Sequence, residues 1–309
     1  MGGSKQVAMR GLVTGATGFI GRALLRQLER PVVLSRDPKR AEHELAEFGV
    51  TAVAWESLAD ELPDRVFGDI DAVFHLAGES VSAGRWSAAK KARVRDSRVA
   101  GTRLLVERLS RLPQRPQVLV SASAVGYYGD RGDATLDETA PGGSDFLAEV
   151  CAAWEAESQR AAEAGIRVVN PRIGIVLGRD GGALAKMVAP FKFGLGAPLG
   201  SGRQWMPWIH RDDLVRLLLL ASENPRLHGP LNATAPTPVT NREFTATLGR
   251  VLGRPTFLPA LPRFALQAMV GEFAQVLLAS QRVVPRAALA AGFEFRYPDL
   301  EPALRSILA

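Results

Sequence analysis

Short apolar runs alternate with stretches of helical periodicity through the first half of the chain. The runs are continuous and do not alternate apolar with polar residues, as expected when both faces of a strand are buried. Continuous apolar strands are typical of a parallel sheet that helices cover on both sides. The predicted strands are Gly11–Thr14, Val32–Ser35, Val50–Trp55, Ala72–Leu76, Val118–Ser121 and Val168–Pro171.

Helical stretches fill the intervals between these strands. Strand–helix–strand units with right-handed crossovers build a doubly wound sheet. The sequence therefore predicts an α/β protein with a Rossmann-type doubly wound parallel sheet. The predicted helices of this region are Gly18–Glu29, Pro38–Phe48, Ala88–Leu112 and Asp145–Ala164.

The pattern changes after about residue 178, where glycine and proline residues punctuate the chain. This part is expected to form a smaller, mostly helical C-terminal lobe on the substrate side. We therefore expect a dinucleotide-binding domain at residues 8–178, with some later segments returning to it, and the lobe at 179–309. The helices predicted in the lobe are Asp212–Ser222, Asn241–Leu252 and Pro262–Leu278.

The first predicted strand runs into a glycine-rich turn and then into a helix. Gly15 suits a tight turn because glycine tolerates positive φ, Gly18 lets the backbone approach a pyrophosphate, and Gly21 lets the helix pack against the strand. The free N–H groups at the helix N-terminus favour an anion at the same place. The residues expected to bind the dinucleotide here are Gly15, Thr17, Gly18, Phe19, Ile20 and Gly21.

The end of the second strand bears on which dinucleotide is bound. An NAD site usually has an acidic residue there, which binds the hydroxyls of the adenine ribose. This chain has Ser35 and Arg36 at that point, and an arginine suits a 2′-phosphate. The sequence therefore favours NADP(H). NAD(H) is the alternative, with Asp37 binding the ribose hydroxyls.

Composition narrows the function classes. The net charge is +6 and the pI about 9.9, but the basic residues are scattered, so we expect no specific nucleic-acid partner. The single cysteine excludes an internal disulfide and fits a reducing cytoplasm. No apolar run has the length of a membrane span and no leader precedes the first strand, so we expect a cytoplasmic protein. The four histidines show no metal-ligand spacing.

Several segments resemble the extended short-chain dehydrogenase/reductase family, which includes the NAD-dependent epimerases and dehydratases of nucleotide sugars. They are Thr14–Gly21, His75–Gly78, Ser121–Gly129 and Trp208–Asp213. Other segments resemble an atypical branch whose members have carried names such as "nucleoside-diphosphate-sugar epimerase" and "cell division inhibitor". They are Leu76–Ser80, Gly84–Trp86, Asp96–Arg98, Ala153–Glu155, Arg172–Gly178 and Gln281–Pro298. The resemblance implies a short C-terminal domain of that branch at residues 255–309.

The resemblance also implies cofactor contacts beyond the turn. Trp55 would lie near the adenine, with a plain core position as the alternative. Ser97 stands where the larger family commonly has an asparagine, and Pro171 and Ile173 would flank the nicotinamide. The residues at the end of the fourth strand that would line the cofactor are Leu76, Ala77 and Gly78.

A substrate would enter between the sheet and the C-terminal lobe. Arginine can hold an anionic group there and tryptophan can stack on a ring. A nucleotide sugar or another small carbonyl compound is the expected partner, and the resemblance implies a homodimer as one assembly state. The residues expected to line this cleft are Arg85, Trp86, Arg172, Gln204 and Trp208.

The proton-transfer groups of the larger family are not where they are expected. That family uses a Tyr-x-x-x-Lys dyad, in which the lysine lowers the pKa of the tyrosine, together with a serine that orients the substrate. Ser123 matches the serine, but the helix over residues 145–155 contains neither tyrosine nor lysine. The candidate substitutes are Tyr128 or its neighbour Tyr127, Glu149 and His210.

Two functions therefore stay open at this point. One is an NADP(H)-dependent oxidoreductase or nucleotide-sugar epimerase-like enzyme with a rearranged proton relay. The other is a non-catalytic NADPH-binding sensor or regulatory module, which the absence of the dyad favours.

Overall fold

The computed structural model describes residues 9–55, 66–179 and 181–308, so the outer bounds expected for the two domains, 8 and 309, lie outside the described residues. The strands are β1 Gly11–Thr14, β2 Val32–Ser35, β3 Thr51–Ala54, β4 Ala72–His75, β5 Val118–Ser121, β6 Ser123–Ala124, β7 Thr135–Leu136, β8 Arg167–Ile173, β9 Ile175–Leu177, β10 Trp205–Met206, β11 Trp208–His210, β12 Gly229–Ala233, β13 Val239–Thr240 and β14 Arg282–Val283. The helices are α1 Phe19–Leu25, α2 Pro38–Glu44, α3 Ala88–Ser110, α4 Phe146–Gln159, α5 Gly182–Lys192, α6 Arg211–Glu223, α7 Asn241–Leu252, α8 Arg263–Val270, α9 Ala274–Leu278, α10 Arg286–Ala290 and α11 Leu300–Leu308.

The central sheet confirms the predicted parallel architecture. Its strand order is β12-β8-β5-β4-β1-β2-β3, with β6 extending the sheet beside β8. Every pairing in this sheet is parallel. The chain runs outward from β1 through β2 to β3 and then returns to β4 on the other side of β1. This reversal opens a crevice at the carboxyl ends of β1 and β4, where doubly wound sheets bind ligands.

Both faces of the sheet are buried, which explains the continuous apolar strands. On one face Val13 belongs to the same buried cluster as Leu24 of α1 and Leu217 of α6. On the opposite face Leu12 shares a cluster with Leu105 of α3. Successive residues of one strand thus serve two different cores, and a polar residue at either position would be buried.

The region after residue 178 divides between the sheet and a separate core. Strand β12 returns to the sheet and pairs with β8. A third cluster buries Trp208 and Phe244 of α7 against Leu304 of α11. The predicted helix Pro262–Leu278 is interrupted, because Gly271 has a φ of 63° between α8 and α9.

The space around two helix glycines differs, and this predicts opposite effects of a Gly→Ala substitution on stability. A Cβ at Gly21 of α1 would lie 2.4 Å from the carbonyl oxygen of Gly15, whereas a Cβ at Gly101 of α3 would meet nothing within 4 Å. We expect Gly21→Ala to lower the free energy of unfolding by about 2 kcal/mol or more. Gly101→Ala should raise it by about 0.5–1 kcal/mol, because alanine favours a helix. Urea denaturation of both variants measures this, and equal effects would contradict the packing described.

Candidate functional site

The glycine-rich turn is in close contact with the backbone that follows β4. Gly15 has a φ of 70°, and a Cβ there would lie 2.8 Å from the backbone of Leu76 and Ala77. The N–H of Gly18 donates to the carbonyl of Gly15 at 3.0 Å, and α1 begins at the next residue. The turn therefore joins the two strand ends at the crevice and directs the helix N-terminus into it, which is the geometry of an anion site.

A second glycine-rich segment packs on the first residue of α1. Added Cβ atoms at Gly178, Gly181 and Gly182 would lie 2.6, 3.0 and 2.9 Å from ring atoms of Phe19. The guanidinium of Arg211 lies 5.1 Å from the centre of the same ring. These glycines leave room for the Phe19 ring and so stabilise the start of α1. In the sequence they are visible only as a change of pattern. Thr17 and Gly18 stay exposed beside the start of α1.

A buried histidine lies beneath the turn. His75 Nδ1 is 2.7 Å from Oγ1 of Thr14, and its Nε2 is 2.9 Å from Oγ1 of Thr102 on α3. The N–H of Ala77 also donates to the Thr14 hydroxyl at 3.2 Å. Burial, with a smaller contribution from the charge of Arg98, lowers the pKa of His75 to about 4. The imidazole is therefore neutral at pH 7 and serves as a bridge from α3 to the crevice.

The end of β2 presents one exposed arginine. Asp37 caps α2, since its carboxylate accepts from the N–H of Arg40 at 3.0 Å, and Ser35 donates to the carbonyl of Asp37 at 3.0 Å. Arg40 in turn pairs with Glu44 at 2.7 Å. Arg36 is exposed between these groups. The acidic residue needed for the NAD(H) alternative is thus already engaged in capping.

The loop after β4 is held by α3. Lys90 Nζ pairs with Glu79 Oε1 at 2.6 Å, and the hydrogen bond from Lys90 holds the pKa of Glu79 below its usual value. Ser97 Oγ accepts from the N–H of Glu79 at 3.0 Å. Leu76 and Ala77 are half-buried and Gly78 is exposed, so this loop can line the crevice. The Ser97 hydroxyl, by contrast, is bonded within the protein.

The remaining predicted cofactor residues differ in accessibility. Trp55 is 9% exposed and packs with Leu34 and Val73 in the core of one sheet face. The core alternative for Trp55 is therefore the one that its burial supports. Pro171 is buried and Ile173 half-buried near the end of β8.

Leu147 and Cys151 of α4 are one of the two pairs of positions considered for the dyad. An added Cβ at Gly126 would lie 3.4 Å from Leu147 Cβ and 3.8 Å from Cys151 Sγ, so both residues face the loop after β6. Burial raises the pKa of the Cys151 thiol to about 12. Neither residue can exchange a proton with a substrate at neutral pH.

A buried polar network occupies the next turn of the same helix. Ser123 Oγ donates to Glu155 Oε1 at 2.6 Å, and Arg172 binds both oxygens of Glu155 at 2.9 Å. Arg172 Nη1 donates to the Tyr128 hydroxyl at 3.0 Å, and that hydroxyl donates to Asn232 Oδ1 at 2.7 Å. Glu155 was not among the predicted site residues. Its position four residues after Cys151 was the signal that could have identified it.

The charges in this network compensate one another. Burial alone would lower the pKa of Arg172, but the hydrogen bonds and charge of Glu155 raise it above its usual value. Burial raises the pKa of Tyr128 to about 12, and its side chain is 0% exposed. Glu149, by contrast, is exposed. These two predicted candidates therefore differ in burial: Tyr128 lies inside the protein and Glu149 lies at its surface.

The predicted substrate residues need correction in three cases. Arg172 is bound to Glu155, so its charge is not available to a substrate anion. Trp208 is 1% exposed and donates to the carbonyl of Thr237, and Gln204 is 6% exposed and donates to that of Leu199. All three were assigned to the cleft because they are polar or aromatic, but they stabilise the interior.

The other two predicted substrate residues lie nearer the surface. Arg85 is exposed. The half-buried ring of Trp86 lies 5.9 Å from that of Phe146 and 5.7 Å from that of Phe273. Lys91 lies 5.8 Å from the Trp86 ring centre and pairs with Glu272. The loop after β4, the start of α4 and the segment between α8 and α9 therefore meet at this point.

Within residues 9–55, 66–179 and 181–308, no helix is long and apolar enough to cross a membrane. In the same described part of the chain, no group of three or more His, Cys, Asp or Glu side chains is arranged to hold a metal ion.

Comparison with known proteins gives matches along nearly the whole chain. Residues 11–232 match the NAD dependent epimerase/dehydratase family, and residues 261–307 match a domain of unknown function, DUF1731. The chain is 45% identical to the "Epimerase family protein SDR39U1 homolog, chloroplastic" of Arabidopsis thaliana, over 98% of this chain and 88% of that protein. It is 38% identical to the epimerase family protein YfhF of Bacillus subtilis, over 96% and 97% of the two chains.

Among solved structures, the crystal structure of human epimerase family protein SDR39U1 (isoform 2) with NADPH is similar, with a TM-score of 0.86. The sequence identity is 39%, and the match covers 97% of this chain and 99% of that chain. A nucleoside-diphosphate sugar epimerase from Corynebacterium glutamicum matches with a TM-score of 0.76 and 33% identity, covering 97% of this chain and 58% of that chain.

The buried histidine predicts a pH-dependent stability. The pKa of His75 is about 4 in the folded chain and about 6.5 in an unfolded one, so the unfolded state binds more protons between these values. Acidification from pH 7 to pH 4 should therefore lower the free energy of unfolding by about 3 kcal/mol through this residue. Urea denaturation across that range, compared between the wild type and His75→Gln, measures its contribution. His43→Gln, at an exposed histidine, is the control and should keep the wild-type slope; a wild-type slope in His75→Gln would contradict the assignment.

Proposed function

This chain belongs to the NAD-dependent epimerase/dehydratase family, and on that premise we propose that it binds NADP(H) in the crevice at the ends of β1, β2 and β4. The observation that carries the proposal is the contact of the Gly15 turn with Leu76 and Ala77, where a Cβ would lie only 2.8 Å from backbone atoms. That close approach leaves a cradle of bare backbone at the start of α1, which suits a pyrophosphate. The residues present therefore fit the dinucleotide.

The end of β2 supports NADP(H) over NAD(H). Arg36 is exposed there, and one carboxylate oxygen of Asp37, the acidic residue of the NAD(H) alternative, caps α2. A guanidinium binds a phosphate through charge-assisted hydrogen bonds. The human SDR39U1 structure, whose chain is 39% identical, contains NADPH, and this supports the same choice.

We further propose that the bound cofactor serves an oxidoreductase or epimerase-like reaction on a small carbonyl compound or nucleotide sugar. NADP(H) supplies or accepts the hydride when bound. Ser123, which is 2% exposed, donates its proton to Glu155, and its oxygen would accept from a substrate hydroxyl when a substrate is bound. As that hydroxyl is oxidised, Ser123 accepts its proton and passes its own to Glu155. Arg172 and Tyr128 position the carboxylate.

A second candidate is a non-catalytic NADPH sensor. The observation that favours it is the pair Leu147 and Cys151, because an apolar side chain and a protonated thiol stand at positions considered for the dyad. The hydrogen-bonded Ser123 and Glu155 favour the enzyme. Both candidates require NADP(H) binding, and they differ in whether a substrate is turned over.

The cofactor assignment predicts a selective effect of Arg36→Ala. Loss of a charge-assisted phosphate contact should weaken NADPH binding about tenfold or more, while NADH binding changes less than about twofold. Isothermal titration calorimetry measures both affinities. Arg226→Ala is the matched control, since it removes the same charge from an exposed site outside the crevice. Equal weakening of NADPH and NADH in Arg36→Ala would contradict a 2′-phosphate contact.

The proton relay predicts that Ser123→Ala loses turnover but keeps the cofactor. The substitution leaves the pair of Glu155 and Arg172 intact, so we expect the melting temperature and NADPH affinity to stay close to wild type. Turnover should fall about a hundredfold or more. The assay follows NADPH oxidation with a panel of aldehydes, ketones and nucleotide sugars. Full activity in Ser123→Ala would contradict the relay, and a wild type that binds NADPH but oxidises it with no compound would favour the sensor.

A further inference from the structure

The guanidinium of Arg98, on α3, lies against the backbone of the loop that follows β4. An added Cβ at Gly78 would lie 3.1 Å from Arg98 Cζ and 3.2 Å from its Nη2. Arg98 Nη1 donates to the carbonyl of Glu79 at 2.9 Å and to that of Val94 at 3.2 Å. Gly78 is itself exposed in the crevice. The cation is therefore separated from the crevice by a residue without a side chain.

This charge has no carboxylate partner among the described residues. Glu79, whose charge acts on Arg98, forms its short ion pair with Lys90 instead. Arg172, near the end of β8, already binds both oxygens of Glu155. Burial lowers the pKa of Arg98. A partly buried cation bonded only to carbonyl groups gains from an additional acceptor at the crevice.

Arg98 is also close to the dyad positions of α4. Its guanidinium lies 5.1 Å from the ring centre of Trp154, and its charge acts on the Cys151 thiol. The chain therefore has a cation, supplied from a different helix, near one of the two positions considered for the family's lysine.

We propose that Arg98 binds the nicotinamide half of NADP(H), through its ribose hydroxyls, in place of the absent lysine. The assignment to this half follows from the topology. Arg36 at the end of β2 would bind the adenosine half, and Arg98 lies on the opposite side of the crevice, between β4 and α4. This inference rests on the proposed NADP(H) site and adds which residue binds the nicotinamide half of the cofactor.

The test compares two ligands that share only the adenosine half. NADPH contains both halves, whereas adenosine 2′,5′-bisphosphate contains the adenosine with its 2′- and 5′-phosphates and lacks the nicotinamide ribose. We expect Arg98→Met, which keeps an unbranched side chain and removes the charge, to weaken NADPH about tenfold or more. The affinity for adenosine 2′,5′-bisphosphate should change less than about twofold. Arg36→Ala should weaken both ligands, so the two variants separate the ends of the cofactor.

The controls decide between a cofactor contact and a structural role. Arg95→Gln, at an exposed position of the same helix, should bind both ligands as the wild type does. Arg98→Lys is the second variant in case Arg98→Met does not fold, and it should lose affinity for NADPH only, by a smaller factor. Unchanged NADPH affinity in a folded Arg98 variant, or equal loss of both ligands, would overturn the inference. A wild type that binds neither ligand would instead refute the proposed NADP(H) site.

Discussion

The structure depends on the absence of side chains where the first turn meets the end of β4. The Gly15 turn approaches Leu76 and Ala77 so closely that a single methyl group would lie 2.8 Å from their backbone, and Gly21 is closer still to the turn itself. This contact sets the path of α1 and hence the position of its N-terminus in the crevice. The hydroxyl of Thr14 and the neutral ring of His75 extend the contact to α3. The position of the α1 N-terminus in the crevice and the packing of α1 against the turn therefore depend on this close approach.

The parts of the fold that the sequence predicted are those set by neighbouring residues. Strands β1, β2 and β5 have the predicted bounds, because a buried parallel strand is visible as a continuous apolar run. The glycine-rich turn was equally local, since its three glycines and the following helix are adjacent in the chain. The break at Gly271 was missed because an isolated glycine in an apolar helical pattern does not by itself end a helix.

The site residues that prediction misplaced depend on partners far along the chain. Arg172 was assigned to a substrate anion, yet its Nε and Nη2 donate to Glu155, 17 residues earlier. Trp208 was assigned to the cleft, but α7 and α11 bury it. No local pattern separates an arginine or tryptophan of a cleft from one inside the protein, because its burial is decided by which distant element covers it. For the same reason the sequence did not identify Arg98 as a site residue, because its approach to Gly78 depends on how α3 packs under the loop after β4.

A crystal structure of this chain grown with NADPH would show directly whether the crevice at the ends of β1, β2 and β4 holds NADP(H). We expect the pyrophosphate to lie against the backbone of residues 15–21 and the 2′-phosphate to lie beside Arg36. A dinucleotide bound elsewhere on the chain, or one whose 2′-phosphate points away from Arg36, would refute the proposed NADP(H) site.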